Sequence, residues 1–336
     1  MHVWQISSFG IDSLDFVELP DPEPPGPGQV AVRVHAISFN YRDLMMIKGL
    51  YNPKLKLPRI PCSDGAGEVT AVGDGVTQWK PGDRVAGIFM QNWIDGPATP
   101  EKVRGALGGD IDGMLAELVI LHEDGLVAIP EHLSFQEAAT LPCAAVTAWN
   151  AISTCNLKPG SSVLIQGTGG VSLFALQFAR LRGARVLGIS SSNDKLARAF
   201  DLGLDDGANY NEVPDWDRWA IEQTGEGVDL VVEVGGIGTL PRSLRALRMG
   251  GTIAQVGVLT GTDTPEPVAM PTILHKQARI QGIYVGSRHD FIEMNRAIGL
   301  TQLRPVGEDF PWTHARQVLT RLEEASHFGK LVMTIA

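Results

Sequence analysis

Residues 162–192, SVLIQGTGGVSLFALQFARLRGARVLGISSS, constrain the fold more than any other stretch of the chain. The short apolar run Val163–Ile165 predicts a buried strand entering a glycine turn. Apolar residues then recur at Val171, Phe174, Ala175, Phe178 and Ala179, the spacing of one face of a helix packed on a sheet. Gly183 predicts the end of that helix, and Val186–Ile189 begin a second strand. Gly167 and Gly169 leave no side chain to block a pyrophosphate. Its charge would meet backbone N–H groups at the helix start, over Thr168, Gly169, Gly170 and Val171. Ser172 replaces the third fingerprint glycine and is small enough for close helix–sheet packing. The glycine pattern alone is a weak signal, but here strand, turn, helix and second strand agree.

The remainder of the chain bounds what surrounds this unit. A length of 336 residues is enough for two domains, and a 44% hydrophobic content fits a globular protein with real cores. The net charge of −10 argues against a nucleic-acid partner, which needs a basic footprint. Cys62, Cys143 and Cys155 show no paired or zinc-ribbon spacing, which predicts reduced thiols and a cytoplasmic protein. The chain opens on strand-like VWQI with no basic-then-apolar leader, and no window is apolar for long enough to span a bilayer. Secretion and a membrane partner are not expected.

Residues 1–125 read as strands punctuated by Pro and Gly, as in Pro20–Gly28 and the PGDRV turn at Pro81–Val85, which predicts a compact β domain. From about residue 134 a long helical stretch through Ala138–Ile152 leads into alternating strands and helices. Strands are expected at 162–166, 185–190, 208–210, 228–234, 252–257 and 279–285, with helices around 171–182, 194–202, 216–224 and 239–248. Six such strands complete a doubly wound sheet. Helical segments Phe291–Ile298 and Thr313–Glu324 and a last strand, Lys330–Ile335, are too short to hold a core of their own and are expected to rejoin the N-terminal domain. The fold class is therefore α/β: a β-rich domain over 1–126 and 289–336, and a doubly wound Rossmann domain with a six-stranded parallel sheet over 127–288.

In order along the chain, SFNYRDLMMIKGLY (38–51), SDGAGEVTAVG (63–73), PGDRV (81–85), LPCAAVTAWNA (141–151), QGTGGVSLFALQFA (166–179), VGSR (285–288) and HFGKLV (327–332) resemble the medium-chain dehydrogenase/reductases. The similarity covers nearly the whole chain and is greatest to the zinc-independent quinone oxidoreductase-like and alcohol dehydrogenase-like branch. It implies a GroES-like catalytic domain, an inserted Rossmann domain and an active cleft between them.

The resemblance makes the metal question decisive. The first ligand cysteine of zinc alcohol dehydrogenases falls at Asn40 and the ligand histidine at Ser63. An amide and an unactivated hydroxyl are poor zinc ligands, and catalytic zinc needs three protein ligands. Cys143, near the third-ligand position, then reads as a small core residue. Residues 90–112 contain no cysteine, so the structural-zinc lobe of many relatives is also absent. A metal-free enzyme is expected.

Without zinc, hydrogen-bond donors must meet the substrate oxygen that gains charge. Tyr51 matches a tyrosine lining the pocket of quinone oxidoreductases and reads either as that donor or as a wall aromatic. Asn40 reads as a donor to substrate or nicotinamide, or as a turn-capping residue. Tyr41 and Trp93 read as pocket or core aromatics, and Asp43 and Arg84 as scaffold charges. Arg42 stands where the zinc branch often has a proton-relay hydroxyl, so that relay is not inherited.

Cofactor choice turns on the end of the second strand, about 20 residues past the glycines, where a carboxylate would bind the ribose of NAD. Here stand Ser190, Ser191 and Ser192, followed by Lys195, with Arg198 one turn on. Lys195 and Tyr210 match positions that contact the adenosine phosphate in NADPH-using quinone oxidoreductases. NADPH is the expected cofactor. NADH stays open because Asp194 could serve its ribose, and Ser192 also reads as a plain helix cap. The resemblance further implies that Thr147, Gly257 and Val258 border the nicotinamide. It implies that Val285, Gly286 and Ser287 hold its carboxamide and that Arg288 and Lys330 lie near the cofactor. The expected activity is NADPH-dependent reduction of a quinone, enone or related activated carbonyl compound. The alternatives are a zinc-independent alcohol dehydrogenase or carbonyl reductase and a non-catalytic NADPH-binding regulator. Relatives often pair Rossmann sheets edge to edge, so a homodimer is expected through a strand near Leu259–Pro271, where the prolines at 265, 267 and 271 interrupt the pattern.

Overall fold

The computed structural model describes residues 1–261 and 266–335, and they form two compact units, Met1–Val146 with Gly286–Ala336, and Thr147–Val285. The first unit opens with β1 (His2–Ile6), β2 (Leu14–Glu18), β3 (Gln29–Phe39) and α1 (Tyr41–Ile47). It continues with β4 (Asp64–Val72), β5 (Arg84–Gly87), β6 (Leu118–His122), β7 (Leu126–Ala128) and α2 (Phe135–Ala139). A π-helical turn over Leu141–Ala145 leads into α3 (Val146–Ser153). The second unit then alternates β8 (Ser162–Gln166), α4 (Gly170–Leu181), β9 (Arg185–Ser190), α5 (Asn193–Asp201), β10 (Asp206–Asn209) and α6 (Trp216–Thr224). It ends with β11 (Val228–Glu233), α7 (Leu240–Ala246), β12 (Leu247–Gln255), α8 (Met270–Lys276) and β13 (Arg279–Gly282). The chain finishes with α9 (Arg288–Thr301), β14 (Gly307–Pro311), α10 (Ala315–Glu323) and β15 (Lys330–Thr334).

In the first unit β3 is the hub. It pairs antiparallel with β4, β6 and β15, and β5 and β7 extend the sheet beyond β4. The last strand does rejoin this unit: Leu331 lies opposite Phe39 and Met333 opposite Ile37. Val30, Val32, Val34, Ile37 and Phe39 of β3 are buried in one core with Leu319 of α10 and Met333 of β15. Each such side chain contributes about 1.5–3 kcal/mol by leaving water, so the C-terminal segment is held by the core it completes. The unit reaches residue 146 and resumes at 286, where the domain boundaries were expected at 126/127 and 288/289. β7 pairs with β5, and the short α2 packs on β3 and β4, so both belong to the β-rich core.

The second unit is a six-stranded parallel sheet in the order β10-β9-β8-β11-β12-β13. Strands β8 and β11 are buried along almost their whole length, as their continuous apolar runs require of central strands. Several bounds differ from expectation: β12 already begins at Leu247, inside the stretch read as helix to 248, and three further segments depart for identifiable reasons. The helix anticipated through Ala138–Ile152 is broken at Leu141–Ala145, because Pro142 has no N–H to donate and its ring crowds the preceding turn. The final strand stops at Gly282 rather than 285. The proline-interrupted stretch before it ends in helix α8, with Pro271 in its first turn, where proline is well accommodated. The sheet edge is therefore β13, while Pro265 lies outside the described residues. Among the described residues, no helix is long and apolar enough to cross a membrane.

Candidate active site

In the second unit the chain leaves β8 for β9 on one side and returns to β11 on the other, so the strand order reverses between β8 and β11. Ligands of doubly wound sheets bind beyond the strand ends at such a reversal. Gly167 sits there at φ +69°, a left-handed backbone suited to glycine, and Gly169 is the N-cap of α4. A Cβ at either glycine would meet nothing within 4 Å, so open space lies against this backbone. The first-turn N–H groups of α4 have no acceptor within the helix, which suits an anion. Ser172 Oγ donates to the Gln166 carbonyl at 2.6 Å and ties helix to strand where the fingerprint has glycine. Gly167, Thr168, Gly169, Gly170 and Val171 thus form one cradle, and these residues fit a dinucleotide pyrophosphate.

Beneath the cradle lies a polar network that the sequence analysis did not single out. Glu233, fully buried at the end of β11, accepts from Gln166 Nε2 at 2.8 Å, Gly236 N at 2.9 Å and Thr239 Oγ1 at 2.6 Å, and also from Ser243 Oγ. Gln166 Oε1 accepts from the N–H groups of Val234 and Gly235, each at 3.2 Å. The network fixes the turn after β11 without a cation. That turn approaches the one after β12 closely: a Cβ on Gly257 would lie 2.0 Å from the Val234 carbonyl oxygen. Val258, next in sequence, is exposed. The visible signal for the network was a carboxylate closing the apolar run VDLVVE.

At the end of β9, Ser190 is buried and its Oγ accepts from Ser192 N at 3.3 Å, while its carbonyl accepts from Tyr210 N at 3.0 Å. Ser192 caps α5 by accepting from Lys195 N at 3.3 Å, and the Ser191 carbonyl accepts from Asn211 Nδ2. Ser190, Ser191, Lys195 and Tyr210 are therefore brought together at adjacent strand ends. Glu212 also lies here, accepting from Asn193 Nδ2 at 2.7 Å and Asn209 Nδ2 at 3.2 Å. Thr147 is buried. Val285 has φ +55°, a strained conformation for a β-branched residue, and its carbonyl accepts from Asn150 Nδ2 at 2.7 Å.

The first unit gathers a second polar cluster around Asn40, the N-cap of α1. The Asn40 backbone N–H donates to Asp43 at 2.9 Å, and Asp43 pairs with Arg42 at 3.0 Å, a scaffold role as expected of Asp43. The Lys330 ammonium donates to the Phe39 carbonyl at 2.6 Å and to Asn40 Oδ1, and lies 3.9 Å from Asp64 Oδ2. The Asn40 amide nitrogen faces Ser63 Oγ at 3.4 Å, and Ser63 in turn donates to Asp64 Oδ1 at 2.7 Å. Asp64 also accepts from Cys143 N at 3.2 Å. Its carboxyl is raised from 3.8 to about 6 by burial, a shift that Lys330 and the Ser63 hydrogen bond moderate. Burial, reinforced by Asp64, pushes the Cys143 thiol far above its ordinary range. Lys330 is thus buried, with two of its three N–H donors bonded within this unit and the Asp64 carboxylate nearby.

Other positions in this unit have plainer settings. The guanidinium of Arg288 donates to the Leu126 carbonyl at 2.9 Å and Gln78 Oε1 at 2.8 Å, and Ser287 caps α9 by accepting from Asp290 N at 3.1 Å. Gly286 is buried. Arg84 donates to the carbonyls of Glu131 and Leu133. Tyr51 is 45% exposed, and its phenol bonds to no other described residue. Tyr41 is exposed, whereas Trp93 is buried and donates to the Gly96 carbonyl.

Residues 26–131 match the alcohol dehydrogenase GroES-like domain, and residues 170–299 match the zinc-binding dehydrogenase domain. A zinc-type alcohol dehydrogenase-like protein of Schizosaccharomyces pombe is 41% identical, with 97% of this chain and 96% of that protein covered. The chain belongs to the medium-chain dehydrogenase/reductase superfamily. A crystal structure from Sinorhizobium meliloti, assigned as an alcohol dehydrogenase, is 39% identical and superposes with a TM-score of 0.90, covering 99% and 98% of the two chains. An NAD-dependent alcohol dehydrogenase structure is 33% identical, with a TM-score of 0.91 and both chains covered completely. The protein is accordingly an alcohol dehydrogenase-like oxidoreductase that uses a nicotinamide dinucleotide.

The superfamily includes zinc enzymes, and the cluster around Asn40 is where this chain departs from them. Asn40 Oδ1 is occupied by an ammonium, Ser63 donates its proton to Asp64, and Cys143 is the one thiol at a ligand position. Zinc takes deprotonated sulfur, neutral imidazole or carboxylate; the one carboxylate of this set, Asp64, is already engaged by Ser63, the Cys143 N–H and the Lys330 ammonium. Among the described residues, no three His, Cys, Asp or Glu side chains are grouped to hold a metal ion. The residues present do not fit a catalytic zinc.

Two measurements follow from this geometry. Gly169→Val places a side chain in open space at a β-region backbone, so stability should change by no more than about 0.5 kcal/mol. Dinucleotide affinity should fall at least ~10-fold, about 1.4 kcal/mol, and titration calorimetry would read the loss. Asp64 holds a proton in the folded chain that the unfolded chain has released between pH 3.8 and about 6. Its contribution to stability is full below that window and is lost as pH rises through it. Asp64→Asn should remove this falling component from the stability–pH profile in urea unfolding, and unchanged profiles would contradict it.

Proposed function

We propose that the protein catalyses NADPH-dependent reduction of a quinone, enone or related activated carbonyl compound without a metal ion. The observation that carries this reading is the Asn40 cluster, where an amide and a hydroxyl stand at two of the three zinc-ligand positions and the Lys330 ammonium lies against that amide. A bound nicotinamide would supply a hydride from its C4. The chain's own part is to hold the dinucleotide on the Gly167–Val171 cradle and to stabilise the negative charge that grows on the substrate oxygen. Asn40 and Tyr51 are the donors assigned to that oxygen. Tyr51 has an exposed phenol with no competing partner among the described residues. The preference for the 2′-phosphorylated cofactor rests on Ser190 and Ser191 at the strand end and on Lys195 in the helix that follows.

A second reading is oxidoreduction of an alcohol–carbonyl pair, favoured by the names of the relatives and by the NAD-dependent solved structure. Glu212 beside Asn193 and Asn209 supplies a carboxylate on that rim, which favours NADH in this second case.

A cytoplasmic setting is supported by three free cysteines, Cys62, Cys143 and Cys155. A homodimer is supported by β13, exposed at the sheet edge with Ile280 uncovered, and by α8, which buries none of its residues and exposes Met270 and Leu274. Sedimentation at the single-chain mass of 36.2 kDa would contradict the dimer.

The test is a panel of quinones, enones, aldehydes and alcohols with both nicotinamides. The first reading expects enone- or quinone-dependent NADPH consumption, tighter binding of NADPH than NADH, and saturated-ketone product from an enone. Allylic alcohol from the enone, or turnover of simple alcohols with NAD, would favour the second. Tyr51→Phe should lower kcat by ~10²-fold, the scale of losing one preorganised donor, with dinucleotide affinity unchanged.

A further inference from the structure

We propose that Lys330 is a positioning residue for Asn40: its ammonium fixes the carboxamide so that the N–H edge, rather than the oxygen, is offered to the substrate oxygen. The inference rests on the metal-free carbonyl-reduction reading and assigns a role to a lysine that would otherwise be read as a cofactor cation.

An asparagine amide can turn either edge outward, and the two are opposite in chemistry. An ammonium can only donate. Lys330 Nζ meets Asn40 Oδ1, so the oxygen is committed and Nδ2 must point the other way. There it faces Ser63 Oγ at 3.4 Å with the Asp64 carboxylate as a second neighbour, and the long Ser63 contact costs little to exchange for a better acceptor. Ser63 is held by Asp64 at 2.7 Å and does not compete for Asn40 Oδ1.

The lysine is itself fixed. It is buried with 3% of its surface exposed, anchored by the Phe39 carbonyl, and balanced by Asp64. The Lys330 ammonium donating to the amide oxygen also draws electron density from Nδ2, which makes its N–H a stronger donor in a low-dielectric setting. The arrangement supplies, through one neutral donor, part of the polarisation that a metal would supply directly.

The test compares Lys330→Met, Lys330→Arg and Asn40→Asp. Lys330→Met leaves Asp64 buried without its cation, so Lys330→Met/Asp64→Asn serves as the charge-balanced variant if the single one folds poorly. The first readout is independent of any substrate: the side-chain amide NMR resonances of Asn40 in the full-length protein, assigned by comparison with Asn40→Asp. These should shift in both methionine variants and return toward wild type in Lys330→Arg. Unchanged resonances would overturn the proposal.

The second readout is kinetic, with an enone or aldehyde found to turn over. Loss of Lys330 should lower kcat at least ~10-fold, toward the ~10²-fold cost of a lost preorganised donor, with dinucleotide affinity unchanged and partial rescue by arginine. Asn40→Asp should fold, pairing its carboxylate with Lys330, yet lose kcat to the same degree. Weakened dinucleotide binding with normal kcat would overturn the proposal in favour of a cofactor contact. Lower melting temperature with normal kcat would overturn it in favour of a purely structural lysine. If no substrate of the panel is turned over, the functional reading fails while the resonances still decide the positioning.

Discussion

A buried ammonium organises the chemistry of the first unit. Lys330 enters by way of β15, whose antiparallel register sets Leu331 opposite Phe39 and so delivers the preceding residue to the start of α1. Burying a charge is costly unless it is paired and hydrogen-bonded. Here the partners are a backbone carbonyl, an amide oxygen and a carboxylate. The same contacts explain why a zinc ion does not fit and why the Asn40 amide has one orientation. The C-terminal strand is therefore more than a covering edge of the β-rich core, because its register determines the electrostatics at residue 40.

The second unit solves a different problem, fixing its turns through backbone N–H, amide and hydroxyl donors to Glu233 and Gln166. Its strand order leaves open space beside Gly167 and Gly169 and directs a helix start toward it. Glu233 and Gln166 fill the floor beneath with mutual and backbone hydrogen bonds, so both polar groups are satisfied while the turns above are fixed. Rigid backbone placed by buried polar contacts is what a dinucleotide needs from its seat, since the cofactor carries the reactive group and the protein carries orientation.

Much of this architecture was legible in the sequence because local periodicity encodes it. The helix at Trp216–Thr224 and the strands at Ser162–Gln166 and Arg185–Ser190 fall where the pattern of apolar residues puts them. Pro142 and Pro271 show the limit: each proline was visible, but whether it breaks a helix or starts one depends on packing nearby. The replacement of metal ligands at Asn40 and Ser63 was also readable. Their connection to Lys330 was not, because it joins residues 290 positions apart through a strand register that no local pattern specifies. Likewise Asn150 gave no signal, and its bond to the strained Val285 exists only in three dimensions.

In the proposed reaction, substrate polarisation depends on hydrogen-bond donors and not on a metal. The most direct measurement is metal content by elemental analysis of protein purified from zinc-supplemented cells, with activity assayed before and after chelation. The expected result is zinc well below one equivalent per chain and turnover unchanged by the chelator. One equivalent of zinc, with activity lost on its removal and restored on its return, would contradict it.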